Sequence, residues 1–479
     1  MYFLQSLAKF VSPIESLPNF DFGELLWQSV AREREAFKVG ADADDPEEPT
    51  EVEDGSEMAQ TRSSHGDQGG KKRKAEADEA GARDPELDVC RSHQRRRAKR
   101  SRIIAAEGSQ IRPEVKAHIL AASEPIPTDL NLEGLPTACC GYQAMNYKRR
   151  TGDEIGSLEE LLDDGFRLIP WDGYGIRPFE DANGRTFGAL VGQPNDPSYR
   201  QACEEVYQLF LELGQMPEFQ SGVPKNVRGR FPVLNVGYTH GKGTEAPVNL
   251  HEPKNGRPSK HSAHAEALRS NKSLERIATF ASSALNLWAP KLFDYCEKHL
   301  NKLRKFAPHL WPNFPKSIFP SMAINCSPKA WTRKHRDCMN LPFRLCAITA
   351  LGRFDPKCGR HMALPDLKLV IEFPPCSTMI LPSSTLVHGN IPIHPGETRA
   401  SFTQFFPSGL FRYVNNGFMT EKALKATNKK EHERVCSEKA TCWKMGLDLF
   451  STRSELEGSA QDERTAPPSN GSFLTSHLL

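Results

Sequence analysis

Hydrophobic positions divide the chain into three regimes. Over residues 1–38 they form two small groups, Phe3, Leu4, Leu7, Phe10 and Val11, then Phe22, Leu25, Leu26, Trp27 and Val30. The second group recurs at helical intervals and predicts a short helix that docks on the rest of the chain or on a partner. Over 39–102 large apolar residues nearly vanish, leaving too little burial to offset chain entropy, so this linker is expected to be disordered. From residue 103 to about 450 apolar periodicity returns and predicts a folded domain. The polar stretch 451–479 reads as a mobile tail.

Within the domain two periods alternate. Cys203, Val206, Leu209, Phe210 and Leu213 lie on one stripe and predict an amphipathic helix over 199–213. Ser157 with Glu160 has the form of a capping box ahead of a short helix that Gly165 stops. Residues 273–303 are helical in pattern, and Pro290 is expected to kink or divide them. Residues 420–450 read as a Lys/Glu-rich helix. Residues 166–178 read as a strand and a turn carrying Trp171 and Tyr174, and further short strands are predicted at 187–191, 233–238, 318–326, 343–351, 367–373, 378–381, 386–388 and 400–406, punctuated by Gly and Pro. That rhythm suits a barrel or jelly roll and not a doubly wound sheet. The expected architecture is therefore α+β: a double-stranded β-helix (jelly roll) over about 316–407, with flanking helices at 199–305 and 420–450. Residues 240–270, with His240, His251, His261 and His264, are expected to be a solvated insert; the alternative makes His240 and His251 pocket residues.

Composition changes this picture in two places. The net charge of the 479 residues is only +2, which gives no overall bias toward nucleic acid or membrane. The charges are segregated, however: 42–57 is acidic, and the basic clusters Lys71-Lys72-Arg73-Lys74 and 95–102 are compact. They read as a bipartite nuclear import signal or a nucleic-acid contact, so a nuclear location is expected. The twelve cysteines are scattered without a CxxC pair and are read as free thiols of a reduced compartment. Cys139-Cys140 and the group His432, Cys436, Cys442 lack a four-ligand spacing and are not read as zinc sites. No run approaches the ~18 apolar residues of a membrane span.

The chemistry concentrates in Trp331-Thr332-Arg333-Lys334-His335-Arg336-Asp337-Cys338-Met339-Asn340. His335 and Asp337 are two apart, so on an extended strand they share a face. His388 lies 51 residues beyond Asp337, room for roughly four strands of ~5–6 residues, so a jelly roll returns it to the same mouth. Two imidazoles and a carboxylate form the facial triad of non-haem Fe(II), with positions left open. Gly389 is read as a backbone position close to the metal. Arg399 and Ser401 stand at the start of a strand, where a guanidinium holds a carboxylate bidentately. Open iron positions plus an anchored dicarboxylate fit 2-oxoglutarate as co-substrate with O2. Lys329, Arg333, Lys334, Arg336, Arg344, Arg353, Lys357 and Arg360 cluster in sequence about the mouth and suit phosphate contacts.

The segment from about 319 to 406 resembles the TET/JBP group of 2-oxoglutarate/Fe(II)-dependent dioxygenases, and is most similar to the TET-like proteins of mushroom-forming fungi associated with DNA transposons. The resemblance rests on His335-Arg336-Asp337-Cys338-Met339-Asn340, which matches the group's His-Arg-Asp-x-x-Asn motif, and on His388 with Arg399-x-Ser401. It implies iron on His335, Asp337 and His388, 2-oxoglutarate on Arg399 and Ser401, and Asn340 at the edge of a methylated base. The implied activity is stepwise oxidation of 5-methylcytosine in DNA to the hydroxymethyl, formyl and carboxyl bases; departures from the family pattern leave N6-methyladenine, or 5-methylcytosine within RNA, as alternative substrates. The implied partner is duplex DNA with the base flipped out, bound by a monomer without a membrane. Two departures stand out. Pro407 occupies the spacing at which animal members place a base-contacting His, and no Cys-rich zinc region precedes the barrel. The base pocket is then expected to be completed by the Gly359-Arg360-His361 turn or the His-rich loop, and Arg336, Arg360 and His361 join Asn340 as the candidate substrate contacts. Other readings are a hydroxylase of protein, RNA or small molecule, and a non-catalytic DNA-binding module.

Overall fold

Two sheets, most of whose strands are buried on both faces, organise this computed structural model. It describes residues 113–458 except 139, 149–153, 221–228, 230, 242, 253–258 and 393–395. The predicted 1–38 helix, the 39–102 linker with its basic clusters, and residues 459–479 lie outside the described residues.

The large sheet is mixed and nine-stranded. Its centre is β8 (Cys346–Arg353) and β13 (Thr398–Phe405), flanked on one side by β11 (Thr378–Leu381), β4 (Thr186–Gly192), β3 (Arg177–Glu180) and β1 (Ile126–Pro127). On the other side lie β7 (Ser321–Asn325), β5 (Val233–Thr239) and β6 (Val248–Asn249). The small sheet runs β12 (Gly389–Asn390), β9 (Met362–Leu364), β10 (Leu369–Ile371) and β2 (Arg167–Ile169). Alternation along the small sheet is visible in its packing. Met362, Leu364, Leu369 and Ile371 enter the main core, while Ala363 and Val370 meet Leu161 and Phe166 beneath α2 (Leu158–Asp163). The Ser157–Glu160 capping box of α2 is present in both directions.

From β7 onward the chain alternates between the sheets. It leaves β7, pairs at His335 with His388, and returns as β8. It crosses again for β9 and β10, returns as β11, crosses for β12 and returns as β13. In this way segments distant in sequence become neighbours: Ser401 faces Ala350 on one side and Asn325 on the other.

Helices cover the large sheet. In α3 (Pro197–Gln215) the stripe Tyr199, Cys203, Val206, Phe210 and Leu213 is buried, Pro197 opens the helix, and Asp196 caps it by accepting the Ser198 N–H. Phe210 meets Phe402 of β13 edge-on, ring centroids 6.5 Å apart, and Tyr199 meets Phe280 of α6 (Lys272–Trp288) at 5.5 Å. Gly214 is required by this packing, because a Cβ there would drive into the carbonyl of Cys326. Pro290 divides α6 from α7 (Pro290–Phe306), as its missing N–H dictates.

The 166–178 stretch is a strand and a turn, as expected: Asp172 accepts the N–H groups of Tyr174 and Gly175, and this turn sends β2 and β3 to different sheets. Three expectations need correction. The polar tail does not begin at 451, since Thr452 bridges Arg185 and 453–458 are helical with Leu456 buried in the core. The 420–450 helix is two, α9 (Glu421–Thr427) and α10 (Lys429–Leu447), divided at Asn428, whose side chain caps the second. The 240–270 insert carries β6 and α5 (Ser262–Ser270), because Ala265 and Leu268 have apolar surface to bury. After β13 the chain forms α8 (Ser408–Asn415).

Candidate metal centre

His335 and His388 face each other as an antiparallel pair, each N–H donating to the other's carbonyl at 3.0 Å. Such an exchange fixes both Cα positions, and their rings stand with centroids 4.2 Å apart. Asp337 is fixed by its own N–H, which donates to Ser383 O at 2.9 Å. Asp337 Oδ1 then lies 3.7 Å from His335 Nε2, and Oδ2 lies 4.0 Å from His388 Nε2. One donor atom from each residue falls within 4.8 Å of the other two.

The protonation of both imidazoles follows from their partners. His335 Nδ1 sits 2.8 Å from Arg333 O, and His388 Nδ1 sits 3.0 Å from Leu386 O. A carbonyl only accepts, so both Nδ1 atoms carry hydrogen and both Nε2 lone pairs face the shared centre. Each of these histidines is thus oriented by the carbonyl two residues before it, a relation that sequence reasoning missed. All three side chains are buried. This donor set is the one that suits non-haem Fe(II) with open positions.

Gly389 has a different role from the one expected. Its Cβ would lie 2.9 Å from the carbonyls of both Thr332 and Arg333. The glycine therefore admits the neighbouring strand, and so permits the His335–His388 pairing, instead of clearing space for a metal.

Beside the triad segment lies a buried cationic region. Ala330 N–H donates to Arg399 O and Arg399 N–H to Pro328 O, so β13 runs along the approach to His335. The Arg399 side chain is fully buried. Its Nη1 donates to Ala330 O at 3.2 Å and its Nε has no partner. Burial, with Arg360 nearby, pulls its pKa down to about 9. Ser401 follows on the same side of β13 and accepts from Asn325 Nδ2 at 2.6 Å. Arg360 is also fully buried, in a left-handed backbone conformation, with Nη2 2.8 Å from Glu397 Oε2 and its guanidinium over the Phe354 ring. Glu397 accompanies Arg360, whereas the Arg399 guanidinium meets only the Ala330 carbonyl, so a buried positive charge is left that an anion would stabilise. His361 is fully buried with neither ring nitrogen partnered, and burial pushes its pKa down to about 4, so it is neutral at pH 7.

The other predicted residues are placed as follows. Asn340 is buried one turn beyond Asp337, its N–H on Asp337 O and its amide donating to Cys346 Sγ at 3.4 Å. Pro407 forms a bridge with Asn340. Arg336, alternating away from the ligands, approaches Asp366 Oδ2 at 3.6 Å, and that same oxygen accepts the Val387 N–H. Asp366 was not legible as a site residue, since nothing in the local sequence marks it. Of the expected phosphate contacts, Arg344 is buried over the Tyr295 ring and donates to Leu292 O, so burial removes it from the mouth. Arg333 pairs with Glu154 and Arg353 with Glu204, whereas Lys329 and Lys357 remain exposed. His240 is buried, with Nδ1 on Gly409 O and its ring against Tyr413; His251 Nε2 is bonded to Asn235 O. Met145 and Met339 are exposed on adjacent loops joined by the Ala144 N–H to Cys338 O bond, forming an apolar rim beside Asp337.

No family model matches the sequence, and no curated protein matches it. Among solved structures the chain is similar to NgTET1 in complex with 5mC DNA, at 14% identity over 52% of this chain and 91% of that one, TM-score 0.35. It is also similar to an oxidoreductase of the 2OG-Fe(II) oxygenase family from Burkholderia pseudomallei (14% identity, 45% and 93% covered, TM-score 0.23). A third similar structure is the viral collagen prolyl hydroxylase vCPH from Paramecium Bursaria Chlorella virus-1 in its 2OG complex (10% identity, 43% and 88% covered, TM-score 0.21).

Proposed function

We propose that this protein is a 2-oxoglutarate- and Fe(II)-dependent dioxygenase that oxidises 5-methylcytosine in DNA to its hydroxymethyl, formyl and carboxyl forms, with N6-methyladenine as the alternative base. The observation that carries the dioxygenase reading is the convergence of His335, Asp337 and His388 with both Nδ1 protons turned outward. The strand order around it, β7-β13-β8-β11 in one sheet and His388-β12-β9-β10 in the other, supports a double-stranded β-helix.

The residues fit the required groups. Three buried donors await a divalent metal, and the unpartnered Arg399 Nε beside Ser401 awaits an anion. When bound, Fe(II), 2-oxoglutarate and O2 supply the oxidation, one oxygen atom passing to succinate with loss of carbon dioxide and the other to the methyl carbon. The chain's own contribution is position. His335 and His388 keep their protons on backbone carbonyls, so neither competes for the open positions. Arg399 and Ser401 hold the far carboxylate of the co-substrate and thereby orient its keto acid end. The preference for a methylated base rests on His335-Arg336-Asp337 followed by Asn340, and on a base leaving the helical stack to reach a recessed centre. A nuclear protein acting as a monomer completes the reading.

The test is mass spectrometry of nucleosides from methylated duplex incubated with the protein, Fe(II) and 2-oxoglutarate. Hydroxymethylcytosine with stoichiometric succinate is the expected result. Succinate formed only with a peptide, RNA or small molecule would replace the DNA reading with a hydroxylase of another class. Methylated-DNA binding with no succinate from any substrate would leave a binding module.

A further inference from the structure

A second constellation of metal-binding side chains lies outside this centre, on the α9–α10 hairpin. Asn428 turns the chain between the two helices and accepts the Glu431 N–H, so α10 begins beside α9. His432 and Cys436 are four apart on α10 and therefore neighbours on one face. Glu421, the first residue of α9, reaches that face from the other helix. Glu421 Oε1 lies 3.7 Å from His432 Nε2, and Cys436 Sγ lies 3.6 Å from the same nitrogen. One donor atom from each of the three residues falls within 4.8 Å of the others, the spacing also found in the His335 centre. Donors bound at about 2.0–2.3 Å to one tetrahedral ion stand about 3.3–3.7 Å apart. Cys436 Sγ also lies 3.9 Å from His432 Nδ1, so the thiol rests against the ring, and a side-chain rotation within the hairpin would bring the three donors onto one ion.

Two features separate this group from an ordinary surface cluster. The donors are chemically mixed, a thiol, an imidazole and a carboxylate, which is the zinc-type set and not the all-oxygen set of magnesium or calcium. Lys439 Nζ also holds Glu421 Oε2 at 2.8 Å, which fixes the carboxylate with Oε1 toward His432, and its ammonium keeps Glu421 ionised.

We propose that Glu421, His432 and Cys436 bind one divalent transition-metal ion of the zinc class, clamping α9 to α10. Binding releases the Cys436 proton to solvent, since the thiolate is the ligand. Cys436 and Glu421 are exposed, so the fourth position is open to water or to a partner's side chain.

Cobalt(II) titration of the full chain tests this. The His335 centre contains no sulfur, so a thiolate-to-cobalt charge-transfer band reports only a cysteine-containing site. Wild type should develop that band with one equivalent per chain. Cys436→Ser should lose it, and His432→Gln should weaken cobalt binding at this site by about tenfold or more. Zinc should raise the melting temperature of wild type above that of Cys436→Ser. Absence of the band in wild type, or a band that persists in Cys436→Ser, overturns the proposal. Neither result bears on oxidation at the His335 centre.

Discussion

His335 and His388 exchange both backbone hydrogen bonds, each 3.0 Å long, so the two candidate ligands form a single rung between two segments far apart in sequence. The geometry of the candidate metal centre is thereby coupled to strand register. A slip of one residue would turn both imidazoles to the opposite face.

Replacing His335 or Asp337 with Ala should abolish succinate formation and lower iron affinity by more than the roughly 10–100-fold typical of orienting groups. Circular dichroism should stay native, since the backbone pairing needs no side chain. Retained turnover in either variant would remove the centre from the mechanism.

Gly389→Ala places a Cβ 2.9 Å from two carbonyls and should destabilise the fold by about 1–3 kcal/mol, as overpacking does. Iron affinity should fall with it, because the clash opens the pair that carries both ligands. Denaturant unfolding and an iron titration check the two effects; wild-type values in both would show that the strand gap accommodates a methyl group.

Arg399→Met should raise KM for 2-oxoglutarate, with the loss of about 1.5–3 kcal/mol expected for a charge-assisted contact, or roughly 10–150-fold. Stability should hold or rise. Burial lowers the Arg399 pKa to about 9 in the fold, against 12.5 in the unfolded chain, so the native state pays for this proton below pH 9. An unchanged KM would place the co-substrate elsewhere.

The unpartnered His361 should make the protein acid-sensitive. Its pKa is about 4 in the fold and 6.5 unfolded, so the unfolded state binds more protons between these values and stability rises with pH through that window. The contribution is fully present above pH 6.5 and lost on acidification toward pH 4, at most about 3 kcal/mol. His240, His251, His261 and His299 are shifted down by burial too, in the same direction. The readout is therefore the difference between wild type and His361→Gln in unfolding free energy at pH 7 and pH 5; equal slopes would mean that His361 is hydrated.

Asn340→Ala should leave iron and 2-oxoglutarate binding near wild type while base oxidation falls. Its amide donates to Cys346 and its N–H to Asp337 O, so it ties the ligand loop to β8 as well as standing next to the centre. Uncoupled succinate formation without base product would support a substrate role. Loss of iron affinity would make the residue a support for Asp337 instead.

Local pattern by itself determined part of the helical frame and the residues of the candidate centre. The stripe of α3, the capping box of α2 and the break at Pro290 all follow from interactions within a few residues. The division at Asn428 and the helices α5 and α8 do not, and His335 and Asp337 lie on a bridge and a loop and not on a regular strand. Tertiary structure alone decided what meets between the two sheets. Leu386 O and Arg333 O orient the imidazoles, Glu397 accompanies Arg360, Asp366 meets Arg336, and Gly389 proves to be a packing residue. Glu421 likewise joins His432 and Cys436 only because two helices fold back on each other, which is why a search for ligand spacing along the sequence passes over it. Periodicity records which face a side chain takes, but not which distant strand or helix faces it. That second quantity is set by sheet order and crossing, through contacts between residues far apart in the chain.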